Sequence, residues 1–245
     1  MRNLSPLFSK DEKGFIGNLN LTENQKKMIQ EAKIKIRNHL RAGITREIKK
    51  EQGIDLSPRF LSQGSSVYKT QNQPCNNPPQ QIDHDLGCYL PLSFHEETGH
   101  PSIAATIFFK VVDSLLKEIV LIEKWNGVEQ KDTCSRVIIN QEIHIDIPLY
   151  SIPDNEFETI RESARAKNFY LESMKMVDLS KEEWEIIKSQ VLLAHRKKDW
   201  MPSDPRKLNE YFKYCFDNKG EQLRRISRYL KAWRDYKWKN GGGPS

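Results

Sequence analysis

Cysteine is scarce and unpatterned in this chain. Its four thiols, Cys75, Cys88, Cys134 and Cys215, show no C-x-x-C spacing, which argues against a structural zinc site and suits reduced thiols in a cytosolic protein. Long apolar runs are also missing. No stretch approaches the length of a membrane span, and Met1-Arg2-Asn3-Leu4 lacks the apolar core of a signal peptide, so a cytoplasmic protein with no membrane partner is expected. There are no internal repeats and no low-complexity segment.

What is present is ordinary in bulk and specific in pattern. With 245 residues, 29% charged and 37% apolar, the chain can bury a real core as one large domain or two interlocked lobes. The net charge of +6 suits a polyanionic ligand, but nucleotide phosphates, nucleic acid and plain solubility all fit that balance. Charge alone decides nothing.

Residues 1–21 mix polar residues with two glycines and read as an irregular lead-in. Thr22 with Gln25 resembles a capping box, and Ile29, Ala32, Ile36 and Leu40 recur at helical spacing; one long amphipathic helix is predicted over 22–51. Residues 59–62 read as a short strand running into a Gly-Ser turn. The amide- and proline-rich stretch 71–80 is a loop, since proline and asparagine suit neither regular alternative. A strand follows over 82–90, closed by Pro91. A helix opening at Pro101 carries Phe108, Val111, Val112, Leu115, Leu116 and Ile119 as a wide stripe. Strands at 136–139 and 142–147 form a hairpin around Asn140-Gln141. Beyond residue 155 the pattern turns helical, with helices placed near 155–176, 180–197, 205–217 and 221–238.

Three stretches carry chemistry. Gln63-Gly64-Ser65-Ser66-Val67-Tyr68 follows the apolar Phe60-Leu61; its glycine lets the backbone approach a phosphate and its serine adds a donor. Tyr68 either stacks on a base or packs in the core, and pattern leaves both open. In Gln81-Ile82-Asp83-His84-Asp85-Leu86-Gly87, alternation puts Asp83 and Asp85 on one strand face and turns His84 to the core. In Ile143-His144-Ile145-Asp146-Ile147-Pro148, the same alternation groups His144 with Asp146, His144 reading as a packing or supporting residue rather than a ligand. If the two polar faces coincide, three carboxylates meet. Such a set can hold divalent cations that activate an attacking hydroxyl and stabilise leaving pyrophosphate. Lys231, on a basic ridge of the last helix, either neutralises a triphosphate or belongs to a solvated face.

Together these stretches resemble the bacterial cGAS/DncV-like nucleotidyltransferases, the cyclic-oligonucleotide synthases of anti-phage CBASS operons, in their cyclic GMP-AMP synthase branch. Further matching pieces are Pro78-Pro79-Gln80, Leu149-Tyr150, Pro202-Ser203-Asp204-Pro205-Arg206, Arg228-Tyr229-Leu230-Lys231-Ala232-Trp233 and Gly242-Gly243-Pro244-Ser245. The resemblance implies an α+β protein: a polymerase-β-like core with a mixed or antiparallel sheet over 22–150, and a helical lobe over 151–245. It implies Asp83, Asp85 and Asp146 as catalytic metal ligands for two Mg²⁺ ions, with Mn²⁺ as an alternative. It also implies Gln63, Gly64, Ser65, Ser66, Val67, Tyr68, Ser203, Lys231 and Ser245 as nucleotide contacts, with Arg136 a looser match on the acceptor side. ATP and GTP or other NTPs are the implied substrates, no nucleic-acid partner is expected, and a regulatory protein from the same operon is a further candidate partner for which no residue marks a site. Relatives continue past the Gly-Gly-Pro-Ser segment, so a C-terminally truncated chain is expected. Two alternatives stay open beside cyclic di- or trinucleotide synthesis: a nucleotide-binding module impaired by truncation, and nucleotidyl transfer to a protein or RNA acceptor.

Overall fold

Thr22 starts the longest helix by reciprocal capping. Its hydroxyl accepts from Gln25 N at 3.2 Å and its own N–H donates to Gln25 Oε1 at 2.9 Å, so two backbone donors that the first turn would orphan are satisfied. In a computed structural model residues 5–9, 14–53, 55–91, 101–154, 157 and 191–240 are described. Two short helices, α1 (Ser5–Ser9) and α2 (Phe15–Asn18), occupy the stretch expected to be irregular, and α3 (Glu23–Gln52) follows. Ile29, Ala32, Ile36, Leu40, Ile44 and Ile48 of α3 are all buried, a stripe at spacings of three and four that faces the core.

The strands are β1 (Arg59–Gln63), β2 (Ile82–Pro91), β3 (Gly127–Gln130), β4 (Cys134–Ile138), β5 (Ile143–Ile152), β6 (Leu192–His195) and β7 (Asp199–Pro202). They form one sheet in the order β1-β2-β5-β4-β3, with the β6–β7 hairpin attached to β5. Among the described pairings only β2–β5 is parallel; the others are antiparallel. One face carries Ile82, Leu86, Cys88, Leu90, Ile143, Ile145, Ile147 and Leu149, packed against α3 and α5 (Pro101–Glu123). Burying each such side chain contributes roughly 1.5–3 kcal/mol. The opposite face is apolar at one end, where Tyr89 stacks on Tyr150 at 4.9 Å beside Leu61, Phe157 and Val191. At its other end it carries acids.

The remaining described helices are α4 (Gly64–Tyr68), α6 (Pro205–Lys219) and α7 (Glu221–Lys237). Asp204 caps α6 through the Arg206 N–H at 3.0 Å, with Pro205 in the first turn where its missing donor costs nothing. A loop rich in amides, residues 70–81, ties α7 to the core. Asn72 exchanges two hydrogen bonds of 2.8 Å with Arg228, and Gln80 Nε2 donates to the Asp235 carbonyl at 2.6 Å.

Beyond the two lead-in helices, other elements differ from expectation. The Gly-Ser turn is the short helix α4. β3 and β7 are additional strands. The helix expected over 180–197 is contradicted at its end, because residues 192–195 are strand β6. Val191-Leu192-Leu193-Ala194 is a short apolar run that periodicity cannot assign, and β5, which pairs with β4 only as far as Pro148, offers the edge at Tyr150 and Ser151 on which β6 pairs. The helix expected over 155–176 lies, Phe157 apart, outside the described residues.

Candidate active site

Strand register lines up the polar residues. Gln63 stands opposite Asp85, Asp85 opposite Asp146, and Asp146 opposite Arg136, so one row crosses β1, β2, β5 and β4. Partners in a row share a face, which brings Asp146 beside the Asp83–Asp85 pair as alternation allowed. His84 points the other way and is 4% exposed.

Asp85 leans over the start of α4. A Cβ built on Gly64 would come 2.5 Å from Asp85 Oδ2, and Gly64 has φ of +60°. Both facts require glycine: the left-handed backbone disfavours any side chain, and the carboxylate leaves no room for one. Burial, then the charges of Asp83 and Asp146, push the Asp85 carboxyl up to about 8. Asp83 behaves oppositely. Burial alone would raise it, yet the ring of His144 and the cations Arg136 and Lys231 hold it below its ordinary value. Arg136 grips Asp146 with a two-pronged bond, Nε to Oδ1 at 2.7 Å and Nη2 to Oδ2 at 2.9 Å.

Asp83 borders a cleft of about 470 Å³ whose walls also include Ser65, Gln71, Asn72, Arg136, His144, Lys231, Arg234 and Trp238. That volume falls within the range of small-ligand sites. Lys231 reaches it from α7, its Nζ donating to the Thr70 carbonyl at 3.1 Å. Removal from water lowers the Lys231 pKa, while Asp83 and Asp85 favour its charge. Carboxylate oxygens of Asp83 and Asp146 and a ring nitrogen of His144 all lie within 4.8 Å of one another. Hard oxygens converging on a recess where one carboxyl cannot ionise freely fit a divalent cation.

Other residues singled out from the sequence sit elsewhere. Gln63 turns inward: it is 4% exposed and accepts from the Tyr150 hydroxyl at 3.1 Å, in space left by Gly87, where a Cβ would lie 1.8 Å from its Nε2. Ser66 Oγ closes back on the Gln63 carbonyl at 2.8 Å, and Val67 is half-buried. Tyr68 stacks on Phe212 of α6 at 4.6 Å. Ser203 is placed at the entry to α6, its N–H spent on the Val191 carbonyl at 3.0 Å. Ser245 lies outside the described residues. Sequence reasoning missed the aim of His144 at Asp83 and the cleft-lining part of Gln71, Asn72, Gln80 and Gln81. The run of amides between Gln71 and Gln81 was a usable signal, since amides that bond backbone carbonyls suit a loop bridging two parts of a fold.

Residues 58–150, the stretch holding all three aspartates, match the family described as "Cyclic GMP-AMP synthase DncV-like, nucleotidyltransferase domain". The chain belongs to the DncV-like nucleotidyltransferases. A cyclic GMP-AMP synthase of Escherichia coli (strain TW11681) is 36% identical to this chain over 200 residues, covering 78% of this chain and 45% of that protein. One from Vibrio cholerae serotype O1 is 34% identical over 206 residues, covering 80% and 46%. The chain thus spans less than half the length of these curated relatives. Among solved structures, the Vibrio cholerae di-nucleotide cyclase in complex with GTP and 5MTHFGLU2 has a TM-score of 0.76 at 27% identity, covering 99% of this chain and 71% of that one. A cyclic AMP-GMP synthase from Vibrio cholerae in complex with the linear intermediate 5′ pppA(3′,5′)pG has a TM-score of 0.74 at 28% identity, covering 99% and 70%. The α+β nucleotidyltransferase architecture expected from the sequence is the one observed. Among the described residues no helix is long and apolar enough to cross a membrane.

Proposed function

We propose that this chain joins nucleoside triphosphates, ATP and GTP among them, into a cyclic di- or trinucleotide with release of pyrophosphate. The observation that carries the reading is the row across the sheet, which sets Asp146 beside Asp85, with Asp83 of the same strand face on the wall of a nucleotide-sized cleft. Asp83, Asp85 and Asp146 would hold two Mg²⁺ ions, with Mn²⁺ as an alternative, and such a pair supplies a more acidic attacking hydroxyl and a neutralised leaving pyrophosphate. Ser65 offers a hydroxyl donor to phosphate oxygens. Lys231 faces the acids from across the cleft and offsets the charge of a triphosphate. Arg136 holds Asp146 in one rotamer, so the carboxylates are positioned before substrate arrives.

The cellular reading follows the family resemblance: cytoplasmic synthesis of a second messenger in anti-phage signalling of the CBASS type, with a regulatory protein from the same operon as a partner. The test is incubation of the protein with labelled ATP and GTP and Mg²⁺ or Mn²⁺, with chromatography of the products. A small cyclic product, lost in Asp83→Ala, is expected. Undiminished product from Asp83→Ala, or no nucleotide product at all, overturns the reading. Label on a protein or RNA in place of a cyclic product replaces it with transfer to a macromolecular acceptor.

A further inference from the structure

His144 stands in register with Asp83 across the parallel β2–β5 pair, and its ring is fixed from behind. Gln81 donates its amide nitrogen to the carbonyls of Asn140 at 3.0 Å and Gln141 at 3.2 Å. Carbonyls only accept, so the oxygen end of Gln81 is the one that faces His144, 3.0 Å from Nδ1. Nδ1 therefore donates to Gln81, and Nε2 is the ring nitrogen turned to Asp83. The residue is 6% exposed, Nε2 makes no hydrogen bond, and it lies 3.0 Å from Asp83 Oδ1.

A ring nitrogen and a carboxylate oxygen at that separation share a positive centre, a proton or a metal ion. A metal ion needs only convergence. In an octahedral site with bonds of about 2.1 Å, adjacent ligand atoms are about 3.0 Å apart and opposite ones about 4.2 Å. The His144–Asp83 separation of 3.0 Å is already that of adjacent ligands. Asp146 completes a set whose atoms lie within 4.8 Å of one another, so a small closing movement is enough once Arg136 yields one of its oxygens. A bound ring braced through its other nitrogen is the usual arrangement of a metal-ligating histidine.

We propose that His144 supplies an imidazole nitrogen to one cation of this site, beside Asp83 and Asp146. This nitrogen favours a transition ion such as Mn²⁺ over Mg²⁺ there. Mg²⁺ prefers oxygen ligands throughout, whereas imidazole suits the divalent transition metals. The inference rests on the reading of the cleft as a metal-dependent site, so its test uses Mn²⁺ alone, without nucleotide.

Mn²⁺ is titrated into the full chain and the bound ion examined by electron spin echo spectroscopy for ¹⁴N coupling from a directly bonded imidazole. The expected result is ¹⁴N coupling in the wild type, absent from His144→Gln, with Mn²⁺ affinity at least tenfold weaker in the variant and Mg²⁺ affinity, read by competition, changed less than threefold. Protein carrying ¹⁵N-labelled histidine gives a readout that needs no variant, since the coupling must change to that of ¹⁵N. Mn²⁺ bound without histidine nitrogen coupling overturns the ligand and leaves the nucleotidyl-transfer reading standing. No Mn²⁺ binding, with or without ATP, overturns both.

Discussion

Arg136 and Asp146 face each other across β4 and β5, the guanidinium delivering two parallel bonds of 2.7 and 2.9 Å to the two carboxylate oxygens. The pair makes Arg136 a support for an acid as well as part of the cleft wall. Removing one partner of a largely buried pair costs more than the pair contributes, because the other charge is left without compensation. Arg136→Met is therefore expected to lower stability by about 1–3 kcal/mol in chelator, toward the low end because the arginine is partly exposed. Saturating Mn²⁺ should shrink that difference by replacing the lost positive charge on Asp146. Urea melts with and without Mn²⁺ measure it; an unchanged gap would mean Asp146 takes no cation.

Gly64 is predicted to be irreplaceable for activity. Its φ of +60° and the 2.5 Å approach of Asp85 Oδ2 to a built Cβ mean that alanine must move either the backbone or the carboxylate. The left-handed conformation alone costs about 1–2 kcal/mol. Gly64→Ala should lose that much stability while product formation falls at least a hundredfold. Unaltered turnover would show that the position of Asp85 against α4 is immaterial.

His84 gives the molecule an acid limit. Burial, and then the Lys33 cation, push its pKa down to about 4, against about 6.5 in an unfolded chain. Between those values the unfolded chain binds the proton and the folded one does not, so this group's contribution to stability falls as pH drops from about 6.5 to about 4. The full effect is roughly 3 kcal/mol. Asp85, raised to about 8, titrates in the opposite sense, so the readout is the stability difference between wild type and His84→Gln across that window. A difference flat with pH would contradict a neutral, buried His84.

Lys231→Met should weaken ATP binding roughly 10–100-fold, the loss of one charge-assisted contact. Lys231→Arg should restore part of it, because the charge returns on a differently shaped head group. Calorimetry decides. Equal affinities would return Lys231 to a solvated face and to its bond with the Thr70 carbonyl.

Local patterns settled a good deal before any contact was known. The Thr22–Gln25 pair starts α3 where its capping chemistry says it must. Alternation alone turns Asp83 and Asp85 to one face and His84 to the other, because a strand has a period of two. Pro205 and Gly220 bound α6 for reasons carried in their own backbones. None of this says which strands are neighbours. That Asp85 lies against Asp146, some sixty residues on, depends on how β2 and β5 pair, and the fork from Arg136 depends on β4 closing the other side. The hairpin at 192–202 is the same lesson in reverse: a run equally able to be helix became strand because β5 had an open edge. The inward turn of Gln63, the stacking of Tyr68 on Phe212 and the aim of His144 at Asp83 are set by partners distant in sequence. Strand alternation and helix periodicity dictate which residues share a face. Which faces meet is chosen by packing over the whole core rather than by the dihedral preferences of any one segment.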